Sequence, residues 1–212
     1  NWGSRIHTNS WGSDVDGEYT VGASQVDQFI WSHPQMTILY SAGNEGTDGN
    51  ADGYVDEDSI GSPATAKNNI TIGASDNERA TGGYNPGGAC STWYGCWGSD
   101  YPTNPTRDDP LSDTRQELAA FSSRGPTDDG RIKPDLVAPG TNILSTRSSL
   151  ATSDGWGPYV NPRYTYMGGT SMATPLAAGA AALVRQYYVD SRSHTPSAAL
   201  IKATLINSAV DI

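Results

Sequence analysis

Ser171 follows Gly169-Thr170 and precedes Met172-Ala173-Thr174-Pro175, and the small-residue run Leu176 to Val184 comes next. An Ala-rich run has strong helix propensity, so the hydroxyl falls in the first turn of a helix. There the backbone N–H groups lack partners and the helix dipole favours negative charge. A developing alkoxide or oxyanion is stabilised at such a place, which makes Ser171 a candidate nucleophile. Pro175 has no N–H, so it cannot donate to the carbonyl four residues back, that of Ser171. Thr170 either assists an oxyanion or caps the helix. The plainer reading is a buried helix with a Thr/Ser start.

Other segments carry chemistry in combination with this one. Asn9-Ser10-Trp11-Gly12 closes the strand-like stretch that starts at Arg5, and Ser41-Ala42-Gly43-Asn44-Glu45-Gly46 follows the apolar stretch from Met36 to Tyr40. Phe121-Ser122-Ser123-Arg124-Gly125-Pro126 and Lys133-Pro134-Asp135-Leu136-Val137-Ala138-Pro139-Gly140 lie ahead of the serine. Taken in order with Gly169 to Pro175, these segments resemble the subtilisin-like serine proteases, from Asn9 to the last helix. Arg124 to Asp135 and Tyr164 to Pro175 resemble the oxidation-resistant alkaline branch, although Met172 next to the serine is oxidisable.

The resemblance implies a serine endopeptidase that works through an acyl-enzyme. Ser171 would be the nucleophile, and the Asn44 side-chain amide with the Ser171 N–H would form the oxyanion hole. Ser10, Trp11 and Gly12 would line one edge of the cleft and pair with an extended peptide. Ala42 and Gly43 would form the opposite wall of the primary specificity pocket, with Gly61 at its base leaving room for large apolar side chains. Thr170 would sit beside the bound peptide, and Ser62-Pro63 would carry a cis peptide bond.

The family's triad runs Asp, His, Ser along the chain. His7, His33 and His194 lack the neighbours of the family's histidine. His7 stands in a strand, His33 before Pro34 at a helix end, and His194 in a polar loop. The triad's base and aspartate are therefore expected outside this chain. Residues 1–212 are expected to be the C-terminal portion of a catalytic domain, inactive in isolation. The remaining N-terminal part would be a companion chain or a missing segment. The rival reading is an inactive homologue serving as a peptide-binding or calcium-dependent structural module.

Asp48-x-Asn50-x-Asp52-Gly53-Tyr54-Val55-Asp56 follows the pattern in which alternate oxygens converge on calcium and a glycine makes the sharp turn. In this calcium-type loop, residues 48–59, Asp48, Asn50 and Asp52 would bind through side chains. Tyr54 would bind through its carbonyl, and Asp56 directly or through water. Ser59 stands at the twelfth position, where the pattern has a bidentate acid, and Asp58 is the expected substitute. A solvated acidic loop is the alternative.

Residues 76–117 form an insertion rich in Gly, Pro, Trp and Asp, with Cys90 and Cys96 flanking a short segment. Two cysteines with no adjacent histidine point to a local disulfide and away from zinc. The aromatic residues Trp93, Tyr94 and Trp97 are expected to pack within the insertion.

The remaining pattern supplies the scaffold. Arg5 to Ser10, Met36 to Ala42, Asn69 to Ala74 and Leu118 to Phe121 read as strands. Ala23 to Ser32, the segment after Ser171, and Ser197 to Ser208 read as helices. Strand–helix alternation predicts an α/β fold, a three-layer parallel sheet with helices on both faces, which binds ligands at the carboxyl ends of its strands. A formal charge of −10 disfavours nucleic acid as a partner. No apolar run reaches the roughly 20 residues that cross a bilayer, so no membrane span is expected. Protein or peptide is the expected substrate, and the composition suits a secreted hydrolase.

Overall fold

The computed structural model describes residues 3–85 and 90–212; positions 86–89 of the insertion, and Asn1-Trp2, lie outside the described residues. Four parallel strands, β1 (Ile6–Asn9), β2 (Thr37–Ser41), β3 (Ile70–Ser75) and β4 (Leu136–Pro139), stand in the order β1-β2-β3-β4. Leu39 lies beside Ile70, and Ile72 beside Leu136. Helix α1 (Val21–Ser32) connects β1 to β2 and begins at Thr20, whose side chain caps the Ala23 N–H. The short helix α2 (Trp93–Trp97) lies in the insertion, α3 (Thr170–Gln186) carries the candidate serine, and α4 (Ala198–Ser208) starts at the capping Ser197.

Every residue of β2 is buried, because both faces of the sheet are covered. The period of two divides its side chains between the layers. Ile38, Tyr40 and Ala42 pack with Ile30 of α1, Ile60 and Ala64. Leu39, with Ile70, Ile72 and Ala74, packs with Ala173, Ala177 and Ala178 of α3. The alanines let α3 lie close across the sheet, where it touches all four strands. The three-layer α/β expectation holds.

Two expectations change. Leu118 to Phe121 is not a strand: Leu118 makes one isolated antiparallel bridge to Ser75, and the chain then turns, with Ser122 N–H donating to the Ala119 carbonyl. The sequence reading also missed a small antiparallel sheet of β5 (Ile143–Thr146), β6 (Gly157–Pro158) and β7 (Tyr164–Met167), in the order β5-β7-β6. Strand β7 delivers the chain into α3. Gly168, between them, has no room for a side chain, since a Cβ there would lie 1.9 Å from the Trp156 ring.

A buried ionic knot ties β3 and β4 to α4. Lys133 Nζ donates to Asn69 Oδ1 (3.0 Å), Thr71 Oγ1 (2.8 Å) and Asp135 Oδ2 (2.7 Å). Lys202 Nζ of α4 donates to the carbonyls of Asn69 (2.8 Å) and Lys67 (3.3 Å), and stands 2.9 Å from Asp135 Oδ1. Burial pushes the Lys133 ammonium down from 10.5 to about 8, against the pull of Asp135. Between those two values the unfolded chain binds the extra proton, so this group makes stability rise with pH from about 8 to 10.5. Lys133→Met should lower stability by about 3 kcal/mol, because Asp135 loses a buried partner. It should also flatten that rise; urea unfolding at pH 7, 8, 9 and 10 measures both.

Candidate active site

Helix α3 begins at Thr170, and its preceding residue, Gly169, has no side chain with which to cap it. The cap comes from elsewhere. Asn44, just past the carboxyl end of β2, places Oδ1 2.8 Å from the Thr170 N–H and 3.0 Å from Thr170 Oγ1. An N–H can only donate, so the oxygen of the carboxamide must face it, and the Asn44 NH2 is left to face the other way. Thr170 Oγ1 also approaches the Gly43 carbonyl, at 3.2 Å. Thr170 is thus held in the helix start, where it orients Asn44.

Pro175 lies inside α3, and the Ser171 carbonyl has no helical donor. Ser10 Oγ donates to it instead, at 2.8 Å, and Ser171 Oγ approaches the Ser10 carbonyl at 3.4 Å. The carbonyl orphaned by the proline therefore joins the turn that holds Ser171 to the segment after β1.

The cleft segment continues into a wall. Ser13 and Ser62 form an antiparallel bridge, with N–H···O distances of 2.8 and 2.9 Å. Gly61 N–H donates to the Ala42 carbonyl at 2.9 Å. A Cβ on Gly61 would lie 2.9 Å from the Ser13 carbonyl oxygen, so close backbone approach requires this glycine. The peptide bond between Ser62 and Pro63 is cis. Trp11 stands at the rim, 60% exposed, edge-on to Tyr40 with ring centroids 5.4 Å apart.

A pocket of about 120 Å³ results, whose lining brings together Trp11, Gly12, Ala42, Gly43, Asn44, Gly61, Thr170 and Ser171. Ser10 adjoins it through its two contacts with Ser171. Asp14 and Glu45 also line it, and sequence reasoning missed their part in it. Asp14 arrives through the Ser13–Ser62 bridge, a long-range pairing that carries no local signal. The two carboxylates add negative charge to a pocket expected, from Gly61, to leave room for large apolar side chains.

No histidine hydrogen-bonds Ser171 among the described residues. His7 Nδ1 meets Asn9 Nδ2 at 2.9 Å, and His33 Nδ1 meets the Phe29 carbonyl at 3.0 Å at the end of α1. The His194 N–H donates to the Tyr188 carbonyl.

The loop after Asn44 has the turns its pattern requires. Asp48 accepts from the Asp52 and Gly53 N–H groups, at 2.9 and 3.1 Å, Asn50 from Asp52 at 2.8 Å, and Asp52 from Tyr54 at 2.9 Å. Asp56 accepts from the Gly49 N–H (2.7 Å) and Asn50 Nδ2 (2.9 Å). This all-oxygen donor set suits a hard cation. Asp58 is turned elsewhere: a Cβ on Gly17 would come within 2.5 Å of its Oδ1. Ser59 is engaged as well, its Oγ accepting from the Arg124 N–H at 3.0 Å. The twelfth position thus ties the loop to the segment before the serine.

In the insertion, Trp93 stacks on Trp97 and meets Tyr101 and Phe121 edge-on, and Trp97 contacts Trp156. Cys90 and Cys96 are joined, with Cα atoms 5.2 Å apart.

This geometry agrees with what the chain is similar to. The subtilase family model matches residues 1–212. The chain belongs to the subtilase family. The serine protease/ABC transporter B family protein tagD of Dictyostelium discoideum is 33% identical over 270 residues, covering 99% of this chain and 14% of that protein. The serine protease AprX of Bacillus subtilis (strain 168) is 35% identical over 157 residues, 73% of this chain and 27% of AprX. Among solved structures, the prenylagaramide maturation protease PagA superposes with a TM-score of 0.59 at 20% identity, covering 98% of this chain and 52% of that one. Sphericase superposes with a TM-score of 0.55 at 23% identity, covering 96% and 48%. The chain therefore spans about half the length of these solved subtilases and less of the relatives matched by sequence.

Asn44 caps α3, and its variants should divide that contact from the oxyanion role that the resemblance implies for its NH2. Asn44→Asp keeps an oxygen for the Thr170 N–H and should stay within about 0.5 kcal/mol of the parent stability. Asn44→Ala should lose about 1 kcal/mol as the helix cap goes. Both lose the NH2 and should lower turnover of the whole protease about 10²–10³-fold, a magnitude taken over from a subtilisin. Thermal unfolding and kcat measured on the same preparations make the comparison.

Proposed function

We propose that this chain is the C-terminal portion of the catalytic domain of a secreted serine endopeptidase, with Ser171 as nucleophile. The observation that carries the reading is the Asn44–Thr170 contact, which turns the Asn44 NH2 away from the helix it caps. Ser171 Oγ adds to the scissile carbonyl and gives its proton to a histidine on a part of the protease outside this chain. The Asn44 NH2 and the Ser171 N–H stabilise the oxyanion. The histidine returns the proton to the leaving amine, and water releases the acyl group by the reverse path. The substrate lies along Ser10 to Gly12, opposite Ala42 and Gly43.

The open side of β1 supports a place for the remaining part. β1 pairs only with β2 among the described strands. Cavities flank it on both sides, about 410 Å³ beside His7, Phe29 and Ile38 and about 460 Å³ beside Ile6, Ala182 and Val189. A further strand with its helices would cover this edge. Among the described residues, no helix is long and apolar enough to cross a membrane. In the loop, Asp48, Asn50, Asp52, the Tyr54 carbonyl and Asp56 would hold a calcium ion beside the Asn44 turn. Bound there, calcium would add stability by mass action.

A fluorophosphonate should attach to Ser171 in the whole protease, seen by intact mass and peptide mapping, and Ser171→Ala should abolish it. The 212-residue chain alone should not react. Absence of labelling in the whole protease would support an inactive homologue instead.

The pocket chemistry gives a second expectation. Asp14 and Glu45 should favour a cationic side chain before the cut. Fluorogenic peptides with Lys or Arg there should be cleaved with higher kcat/KM than Leu peptides. Asp14→Asn and Glu45→Gln should each reduce that ratio by about two- to fivefold at low salt.

A further inference from the structure

The insertion is bonded along the strip of chain that follows Asn44. The Tyr101 hydroxyl donates to the Gly46 carbonyl at 2.8 Å, and the Asp48 N–H donates to the Asp100 carbonyl at 2.8 Å. From the other flank, the Gly46 N–H donates to the Phe121 carbonyl at 3.0 Å. The Asp100 N–H donates to the Trp97 carbonyl at 2.7 Å and closes the turn after α2. Trp97 and Asp100 are thereby fixed beside the Asn44 turn by main-chain bonds, with their side chains free for another use.

A second cavity opens here, of about 280 Å³ against about 120 Å³ for the pocket at Ser171. Asn44 and Glu45 line both and so form the partition between them. Trp11, Gly12, Asp14 and Ser171 belong only to the first; Trp97, Asp100, Trp156 and Gly168 belong only to the second. An extended substrate that reaches Ser171 along Ser10 to Gly12 continues past Asn44 and Gly169 beyond the scissile bond, where this cavity lies. Its walls carry one kind of chemistry. The half-buried rings of Trp97 and Trp156 meet with centroids 5.7 Å apart. Glu45 and Asp100 add two carboxylates, and none of the six ion pairs among the described residues involves either. The lining holds no Lys, Arg or His. Aromatic faces and carboxylates both attract a cation. A guanidinium answers them together, because it stacks on an indole while its edge donates to a carboxylate, which an ammonium does less well.

We propose that the insertion builds a specificity pocket on the leaving side of the cut, in which Trp97, Trp156, Glu45 and Asp100 select an arginine among the first two residues after the scissile bond. This assignment rests on the reading of Ser171 as nucleophile. Glu45 serves both cavities, whereas Asp100 and Trp97 serve this one alone, so variants of those two separate it from the Asp14 pocket.

The whole protease is tested with internally quenched peptides that hold Lys before the bond and place Arg, Lys or Leu at the first or second position after it. At one of those positions Arg should raise kcat/KM about tenfold over Leu at low salt, with Lys between. Asp100→Asn should cut that ratio about two- to fivefold, and Trp97→Leu should bring Arg down to the level of Lys. Asp108→Asn, an exposed acid of the insertion outside the pocket, should leave the ratio as in the parent. Each variant is first checked for an unchanged circular dichroism spectrum. Binding is read without turnover by calorimetry: Arg-Arg-amide should bind about tenfold more tightly than Leu-Leu-amide, and Asp100→Asn should weaken it while Asp14→Asn does not. Equal rates for Arg and Leu at both positions would overturn the proposal, as would a ratio that neither Asp100→Asn nor Trp97→Leu moves. A protease that binds Arg-Arg-amide through Asp100 yet cuts no peptide would keep the arginine site and overturn Ser171 as nucleophile; one that cuts through Ser171 without preferring Arg after the bond would do the reverse.

Discussion

The start of α3 is the constraint on which the rest of the site depends. A helix that opens on glycine and carries a proline in its second turn leaves its first N–H and the Ser171 carbonyl without intrahelical partners. Both are met from other elements: Asn44 receives the N–H, and Ser10 donates to the carbonyl. Two wants of one helix turn thereby draw the loop after β2 and the segment after β1 to either side of the serine. The hydrogen bonds that satisfy the helix terminus are the ones that place Asn44 and Ser10 beside Ser171.

Around that turn the protein uses small residues so that backbones approach one another. The alanines of α3 let it lie low across the sheet, and Gly61 lets the Ser13 segment close on the Ala42 wall. The pocket is shaped mainly by main chain, so the side chains at its lining, Asp14 and Glu45, are free to set its charge without bearing its structure.

Much of this was legible in the sequence where the signal is local. The helix read from Ser197 to Ser208 contains α4, and the stretch read as a strand from Asn69 to Ala74, where Ile70-Thr71-Ile72 alternate, contains β3. The loss of the Ser171 carbonyl's helical donor could be read from Pro175 alone, but the identity of its replacement could not, because Ser10 lies 161 residues away. Strands β5 to β7 escaped notice because they are two to four residues long and mix glycine, proline and aromatics without a sustained period. Leu118 to Phe121 was misread because its apolar residues pack inward from a turn, giving the composition of a strand without its ladder.

The contacts of Lys202 with two main-chain carbonyls and the Asp135 carboxylate reproduce the coordination of a bound cation, using a charge that is covalently part of the chain. No chelator can extract it and no dilution can empty it. The corner where the β2–β3 crossover meets α4 therefore keeps its cation whatever metal ions the medium holds, and a truncation that removed α4 would leave Lys133 alone to balance Asp135.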